Sequence, residues 1–411
     1  MLLGAIDARR IRSSDSALVS FGTRNTYSDT VSRTRGIGAA RRWIHAQLSQ
    51  FSKDCGGCLR VEYDTGTMQT PRNPASPQRR ITNVLAWLPG RDTSRVIVIG
   101  GHYDSCVCAV GDSGRGRLDS VSTAPGANDD GSGSSAVIEL ARVFSRMFPK
   151  GLDLSVIFAL HDGEEQGLLG SAHLARRLKS SGFTVVAGMT DDIVGNVTAE
   201  DGTMDSSSVR IFAQDPDTSR SRELGRYVWA IGDLYLPSFR VLPVWRLDRV
   251  SRGGDHRSYI EQGAAGLRFT ERVEDEKRQH RPADEFTWVS FGYVANVARL
   301  NAASIASLGL APTTPDSVRA TRDVSVTGGR RWTLRWLPVA GAVSYEILLR
   351  PTTSAQYDRV ISVGAVTRYD LDVQLDDVWA GVRAVGANGQ KSLPAVVPRV
   401  PPRRGAQTPE P

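Results

Sequence analysis

The fold is decided by the stretch LSVIFALHDGEE, residues 154–165. Its first seven residues are almost all apolar, which is typical of a strand that is buried on both faces of a sheet. A histidine and several acids follow at once, where the strand ends. Similar apolar runs alternate with helical patterns along the neighbouring chain, with strands at residues 81–88, 96–100 and 185–189 and helices at 132–148 and 166–179. This alternation predicts an α/β fold, a mostly parallel mixed sheet flanked by helices.

Further segments extend this region in both directions. Apolar runs at residues 209–213 and 264–269 predict two more strands. The spacing of apolar residues predicts helices at 36–51 and 293–308. Together these elements predict a first domain that spans residues 1–310.

The pattern changes beyond this domain. A Pro/Thr linker at 311–316 precedes residues 317–400, where the helical period gives way to short apolar runs separated by turn residues. Such runs predict an all-β sandwich. The stretch WLPVAGAVSY, residues 336–345, resembles part of a fibronectin type III domain, although Val378 stands where that family usually has a tyrosine. The Pro/Arg-rich residues 401–411 predict a disordered tail.

Composition restricts the class of protein. Hydrophobic residues make up 40% of the 411 residues and charged residues 23%, which is typical of a soluble globular protein. The net charge of +7 could indicate nucleic-acid binding, but the arginines are scattered and often stand beside acids. Because duplex binding needs a continuous basic surface, we expect no nucleic-acid partner.

The sequence gives no sign of a membrane segment. No apolar run reaches the roughly 18 residues that a membrane-spanning helix needs. The opening MLLGAI is followed at once by charged residues, so it is too short for the apolar core of a signal peptide. We therefore expect no integral membrane segment and see no signal peptide.

Groups that could bind a metal follow the predicted strands. Three of them stand at strand ends and two in loops: GHYDS at 101–105, HDGEE at 161–165, TDD at 190–192, GANDDG at 126–131 and GGDH at 253–256. In doubly wound sheets the carboxyl ends of the strands gather at one edge. Histidine nitrogens and carboxylate oxygens are ligands that zinc accepts. The sequence therefore predicts a zinc site at this edge.

The order of these motifs is similar to that of the M28 family of zinc aminopeptidases. The resemblance covers about residues 20–308 and rests on HYDS at 102–105, PGANDDGSG at 125–133, EEQGLLGS at 164–171, Asp192 and the pair Asp255-His256. It implies a metallo-exopeptidase that hydrolyses N-terminal residues from peptide or protein substrates.

The resemblance also implies two zinc ions in each chain. One would be held by His102 and Glu165 and the other by Asp192 and His256, with Asp129 bridging both. A bridging carboxylate offsets the repulsion between two cations that lie about 3.5–4 Å apart.

Two further roles come with the resemblance. Glu164 would be the general base, and Asp104 would orient the imidazole of His102. Asp192 is preferred to its neighbour Asp191 as the ligand, because the segment that begins at Asp192 aligns with the family's pattern.

Other functions share such a scaffold. Carboxypeptidases and glutaminyl cyclases have related folds, so either activity is an alternative. A non-catalytic binding protein is a second alternative. The C-terminal domain would attach the enzyme to a surface or polymer.

The chain has four cysteines, Cys55, Cys58, Cys106 and Cys108. They allow three disulfide pairings, and nothing in the sequence selects one. Disulfides favour an extracellular or periplasmic location. A zinc site shared by the two pairs and a redox-active CxxC pair are alternatives.

Some motifs resemble other chemistry. GDSG at 111–114 looks like the nucleophile segment of chymotrypsin-like proteases but lacks the surrounding β-barrel pattern. GSGSSA at 131–136 fits a dinucleotide fingerprint loosely, but the two acids before it would repel a pyrophosphate. We expect these small residues to let a helix pack beside the metal site. His161 and His280 are expected near the cleft, and His280 falls where the M28 family often has a histidine.

Overall fold

The structure is a computed structural model that describes residues 1–69, 78–108, 119–214, 216–250, 252–322 and 331–398. The GDSG motif at 111–114 and the predicted tail at 401–411 lie outside the described residues. The chain divides into two units, Met1–Gly309 and a second unit that begins at Leu310.

An eight-stranded mixed sheet forms the centre of the first unit. In chain order its strands are β1 Arg60–Met68, β2 Arg79–Leu88, β3 Asp92–His102, β4 Leu154–His161, β5 Thr184–Asp191, β6 Ser208–Phe212, β7 Arg240–Val244 and β8 Gly266–Glu271. Their order in the sheet is β1-β2-β4-β3-β5-β8-β6-β7. Four neighbouring pairs are parallel: β3 with β4, β3 with β5, β5 with β8, and β6 with β7. The predicted α/β fold class is confirmed.

Seven helices flank this sheet in the described part of the unit. They are α1 Ala8–Ser20, α2 Gly36–Asp54, α3 Gly133–Met147, α4 Leu169–Ser180, α5 Arg220–Tyr235, α6 His256–Glu261 and α7 Phe291–Gly309. The side chain of Asp7 caps α1 by accepting a hydrogen bond from the Arg9 amide, and Ser219 caps α5 in the same way. None of the helices in the described residues is both long and apolar enough to span a membrane.

The parallel register brings several strand ends together. In the β3–β4 pair His102 lies opposite His161, and in the β5–β8 pair Asp191 lies opposite Phe269. Every residue of β4 is buried, as the apolar run predicted. The polar residues that follow β3, β4 and β5 therefore leave the sheet at one edge.

The second unit consists of two antiparallel sheets. Its strands are β9 Arg319–Arg322, β10 Arg331–Arg335, β11 Ala342–Pro351, β12 Arg359–Gly364, β13 Arg368–Asp372, β14 Val378–Gly386 and β15 Ala395–Val396. One sheet has the order β13-β10-β9 and the other the order β12-β11-β14-β15. Leu334 and Leu371 from the first sheet share one apolar core with Ile347 and Val382 from the second.

Candidate metal centre

The turn Ala127–Ser132, between β3 and α3, carries the central acid of the site. Asp130 fixes this turn, because its Oδ2 accepts a hydrogen bond from the His102 amide at 3.0 Å and its Oδ1 accepts one from the Gly133 amide at 2.9 Å. The peptide bond between Asp129 and Asp130 is cis. A Cβ added at Gly101 would lie 2.8 Å from Asp130 Oδ2. The absence of a side chain at Gly101 lets the strand and the turn approach closely.

A first group of possible ligands consists of His102, Asp129 and Asp192. His102 Nε2 lies 3.2 Å from Asp129 Oδ1 and 3.9 Å from Asp192 Oδ1. All three side chains are buried. One ligand atom from each lies within 4.8 Å of the others, close enough to share one metal ion.

A second group meets the other oxygen of the same aspartate. His280 Nε2 lies 3.0 Å from Asp129 Oδ2 and 3.3 Å from Glu165 Oε2. The two oxygens of Asp129 therefore face two different imidazoles. Burial by itself would lower the pKa of His280, but the carboxylates of Glu165 and Asp129 raise it to about 9. Those carboxylates favour a positive charge at this position.

The carboxylate of Asp284 holds the backbone around Asp129. Its two oxygens accept hydrogen bonds from the amides of Asn128 and Asp129, both at 2.9 Å. The backbone of the turn is thereby fixed, and the side chain of Asp129 stays available for other partners. Asp284 could not be predicted from the sequence, because its role depends on a contact across more than 150 residues of chain.

Asp104 holds the loop after β4. Its Oδ1 accepts a hydrogen bond from the Glu164 amide at 3.1 Å, and its Oδ2 accepts one from the Glu165 amide at 3.2 Å. His102 Nδ1 lies 3.2 Å from the backbone oxygen of Asp104 and 3.5 Å from its carboxylate. One residue thus contacts both the imidazole and the loop that carries the two glutamates. Burial raises the pKa of the Glu164 carboxyl well above its usual value.

His256, which the resemblance placed among the ligands, lies outside both groups in the described residues. Its Nε2 lies 2.8 Å from the backbone oxygen of Leu247, so that nitrogen is already in contact with a carbonyl. The predicted pairs differ as well, because His102 groups with Asp192 and Glu165 groups with His280. Asp255 also faces elsewhere: its Oδ2 lies 3.1 Å from Nδ1 of His161, whose Nε2 is 2.9 Å from the hydroxyl of Tyr259.

An arginine that the sequence analysis did not identify lies beside the first group. The buried Arg268 is 2.9 Å from Asp192 Oδ1 through Nη2 and 3.1 Å from Asp248 Oδ2 through Nη1. Arg268 belongs to β8, within the predicted strand at 264–269. The sequence did contain a sign of this ion pair: a charged residue inside an otherwise apolar strand is expected to be buried, and a buried charge needs a partner of opposite charge.

The four cysteines form two local disulfides, Cys55–Cys58 and Cys106–Cys108. Each pair is closed within itself, so the two pairs do not share a metal. The first disulfide follows α2. The second lies next to the metal groups, where Cys108 Sγ is 3.6 Å from Glu165 Oε2.

Comparisons with known proteins agree with the family resemblance seen in the sequence. Residues 83–305, more than half of the chain, match the family described as Peptidase family M28. A probable zinc metalloprotease from Pyricularia oryzae is 37% identical over 432 residues, which cover 96% of this chain and 83% of that protein. Among solved structures, the LapA aminopeptidase of Legionella pneumophila has a TM-score of 0.55 at 22% identity, covering 75% of this chain and 74% of that one. Porphyromonas gingivalis glutaminyl cyclase has a TM-score of 0.57 at 17% identity, covering 73% of this chain and 98% of that one. These two structures share the fold.

Proposed function

The chain belongs to peptidase family M28 and is a zinc metallopeptidase, and from that premise we propose that it is an aminopeptidase that works with two zinc ions. The observation that carries this proposal is the position of Asp129, whose two carboxylate oxygens face the Nε2 atoms of His102 and His280. A carboxylate in such a position can bridge two cations.

The residues present fit zinc. Five ligands would serve two ions, with His102, Asp192 and one oxygen of Asp129 on one side and the other oxygen of Asp129, Glu165 and His280 on the other. Nitrogen and carboxylate oxygen form a donor set that zinc accepts. The three carboxylates are buried close together, and buried charge of one sign needs compensation. His280 takes the place that the sequence analysis gave to His256.

When bound, zinc polarises a carbonyl and lowers the pKa of a water molecule. Glu164 follows β4 directly, with its amide held by Asp104. Its carboxylate takes a proton from the attacking water and passes it to the nitrogen of the leaving amine. Asp104 keeps Glu164 in place for both transfers.

The charges at the site favour the amino end of a substrate. A carboxypeptidase needs a cation that is free to bind the terminal carboxylate of its substrate. Arg268 lies beside the site, but ion pairs with Asp192 and Asp248 already occupy its guanidinium. Arg268 is therefore not free to bind such a carboxylate, which favours the amino end of a substrate.

The second unit and the location of the protein are part of the same proposal. We propose that the second unit is a fibronectin type III-like sandwich that attaches the enzyme to a surface or polymer, and its division into sheets of three and four strands supports this. An extracellular or periplasmic location is supported by the two disulfides.

The test combines zinc quantitation with four peptide substrates. We expect zinc-dependent release of the first residue from a peptide with a free N-terminus and an amidated C-terminus, and no cleavage of its N-acetylated counterpart. Release of the last residue from an acetylated peptide would instead identify a carboxypeptidase. Ammonia from an N-terminal glutamine, without shortening of the peptide, would identify a cyclase. Full zinc content with no turnover of any substrate would indicate a binding protein.

A further inference from the structure

Cys106 and Cys108 lie against the second metal group. Their side chains are 4% and 5% exposed. The amide of Cys108 donates a hydrogen bond to the backbone oxygen of His280 at 3.0 Å, and Cys108 Sγ lies 3.6 Å from Glu165 Oε2. The two sulfurs therefore share their surroundings with two side chains that we assign to zinc.

The four side chains form a complete ligand set. One ligand atom from each of Cys106, Cys108, Glu165 and His280 lies within 4.8 Å of the others. That spacing is compatible with four ligands at about 2.0 to 2.3 Å from one zinc ion. Sulfurs joined in a disulfide offer no thiolate, so this set exists only after the S–S bond is broken.

We propose that Cys106 and Cys108 form a redox switch that changes the ligand set of the second zinc position. The proposal rests on the function proposed above, since Glu165 and His280 belong to both ligand sets. In the disulfide form, the second position has three protein ligands, including Asp129, and keeps a place for reactants. In the dithiol form two thiolates join Glu165 and His280 and take the place of Asp129, so the position is closed by four protein ligands.

The chemistry of the switch balances with a dithiol as reductant. The reductant supplies two electrons and two protons, the bond between Cys106 Sγ and Cys108 Sγ breaks, and the reductant leaves as its own disulfide. The thiols of Cys106 and Cys108 would each release a proton to solvent on binding the metal. A closed set of four protein ligands is typical of structural zinc, whereas catalytic zinc keeps an open position. Reduction should therefore tighten zinc binding and stop catalysis.

The test uses the full chain in its oxidised and its dithiothreitol-reduced form, desalted and then loaded with cobalt in place of zinc. We expect sulfur-to-cobalt charge-transfer absorption in the reduced protein and none in the oxidised protein. In competition with a chelating dye, the reduced form should bind its second zinc at least about tenfold more tightly than the oxidised form. Tenfold is the smallest effect on metal affinity that is typical of residues supporting a metal ligand. Peptidase activity should fall on reduction.

The other disulfide provides a matched control. The double variant Cys55→Ser/Cys58→Ser should keep the absorption band and the response to reductant, whereas Cys106→Ser/Cys108→Ser should lose both. Cobalt bound to reduced wild-type protein without the band would overturn the switch and leave the proposed function intact. If neither redox form binds any metal, the proposed function fails together with the switch.

Discussion

Replacement of His280 by alanine should remove one zinc ion and leave the other. The Nε2 atom of His280 lies 3.0 Å from Asp129 Oδ2 and 3.3 Å from Glu165 Oε2, so the substitution removes the only imidazole of the second group. Two carboxylates would remain, and one of them is shared with the first group. Removal of a residue that only supports a metal ligand lowers metal affinity by about 10- to 100-fold. Removal of a ligand itself should cost more, so we expect the affinity for the second ion to fall by at least about 100-fold. This corresponds to about 3 kcal/mol of binding free energy.

His256→Ala is the matched control, because His256 is also buried and was the ligand that sequence resemblance favoured. Its Nε2 lies 2.8 Å from the backbone oxygen of Leu247, and loss of that hydrogen bond should cost about 1 kcal/mol of stability, in addition to the cost of the cavity. The zinc content of this variant should stay at the wild-type value.

The assay is zinc per chain by plasma mass spectrometry after gel filtration, with thermal unfolding to confirm that each variant is folded. Two ions in wild type and His256→Ala, and one in His280→Ala, would support the ligand set. Folded His280→Ala with both ions, together with folded His256→Ala with only one, would refute this ligand set.

Three further predictions concern individual acids. Glu164→Gln should keep its zinc while kcat/KM falls by about 100- to 10,000-fold, as expected for loss of a general base, and near-normal activity would assign the proton transfer to another group. Asp192→Ala should lose zinc. Asp191→Asn should retain it, because both carboxylate oxygens of Asp191 already lie 2.7 Å from an asparagine amide of α7. Equal zinc content in the two variants would contradict this distinction. Burial by itself would raise the pKa of Glu274, but nearby arginines, chiefly Arg249, lower it to about 2. A lowered pKa stabilises the fold above about pH 4.5, and this contribution, about 3 kcal/mol, is lost as the pH falls towards 2. Urea unfolding should therefore show that the free energy of unfolding falls less between about pH 4.5 and pH 2 in Glu274→Gln than in wild type. An identical fall in both proteins would contradict a stabilising role for ionised Glu274.

The sequence predicted the elements with strong apolar patterns. The predicted strand at 154–160 is β4, and the predicted helix at 132–148 is α3 with its ends moved by one residue. It did not predict α1, because only Ile11, Asp15 and Leu18 of that helix are buried and arginines interrupt the apolar pattern. Nor did it predict β1, an edge strand in which one residue of nine is buried. Periodicity detects burial, so elements that bury little escape it.

The candidate site shows a different limit of sequence reasoning. The motifs identified the strand ends that gather acids and histidines, because parallel strands bring their carboxyl ends together. They could not distinguish His256 from His280, since each stands near acids in a polar loop. The difference lies in the direction of each side chain, with one imidazole against the carbonyl of Leu247 and the other against Asp129. Side-chain direction depends on contacts between segments distant in the chain.

The candidate site contains more acids than the proposed pair of metal ions would need. Asp104, Asp130 and Asp284 each use both carboxylate oxygens to accept backbone amide hydrogens. Asp129 and Glu165 sit on the segments held in this way, and their own carboxylates face imidazoles instead. An asparagine in place of one of these three aspartates would offer one oxygen to two amide donors. One buried amide would then have no partner, which should cost about 1 to 3 kcal/mol of stability. Acids outside the proposed ligand set are therefore needed to hold in place the acids that belong to it.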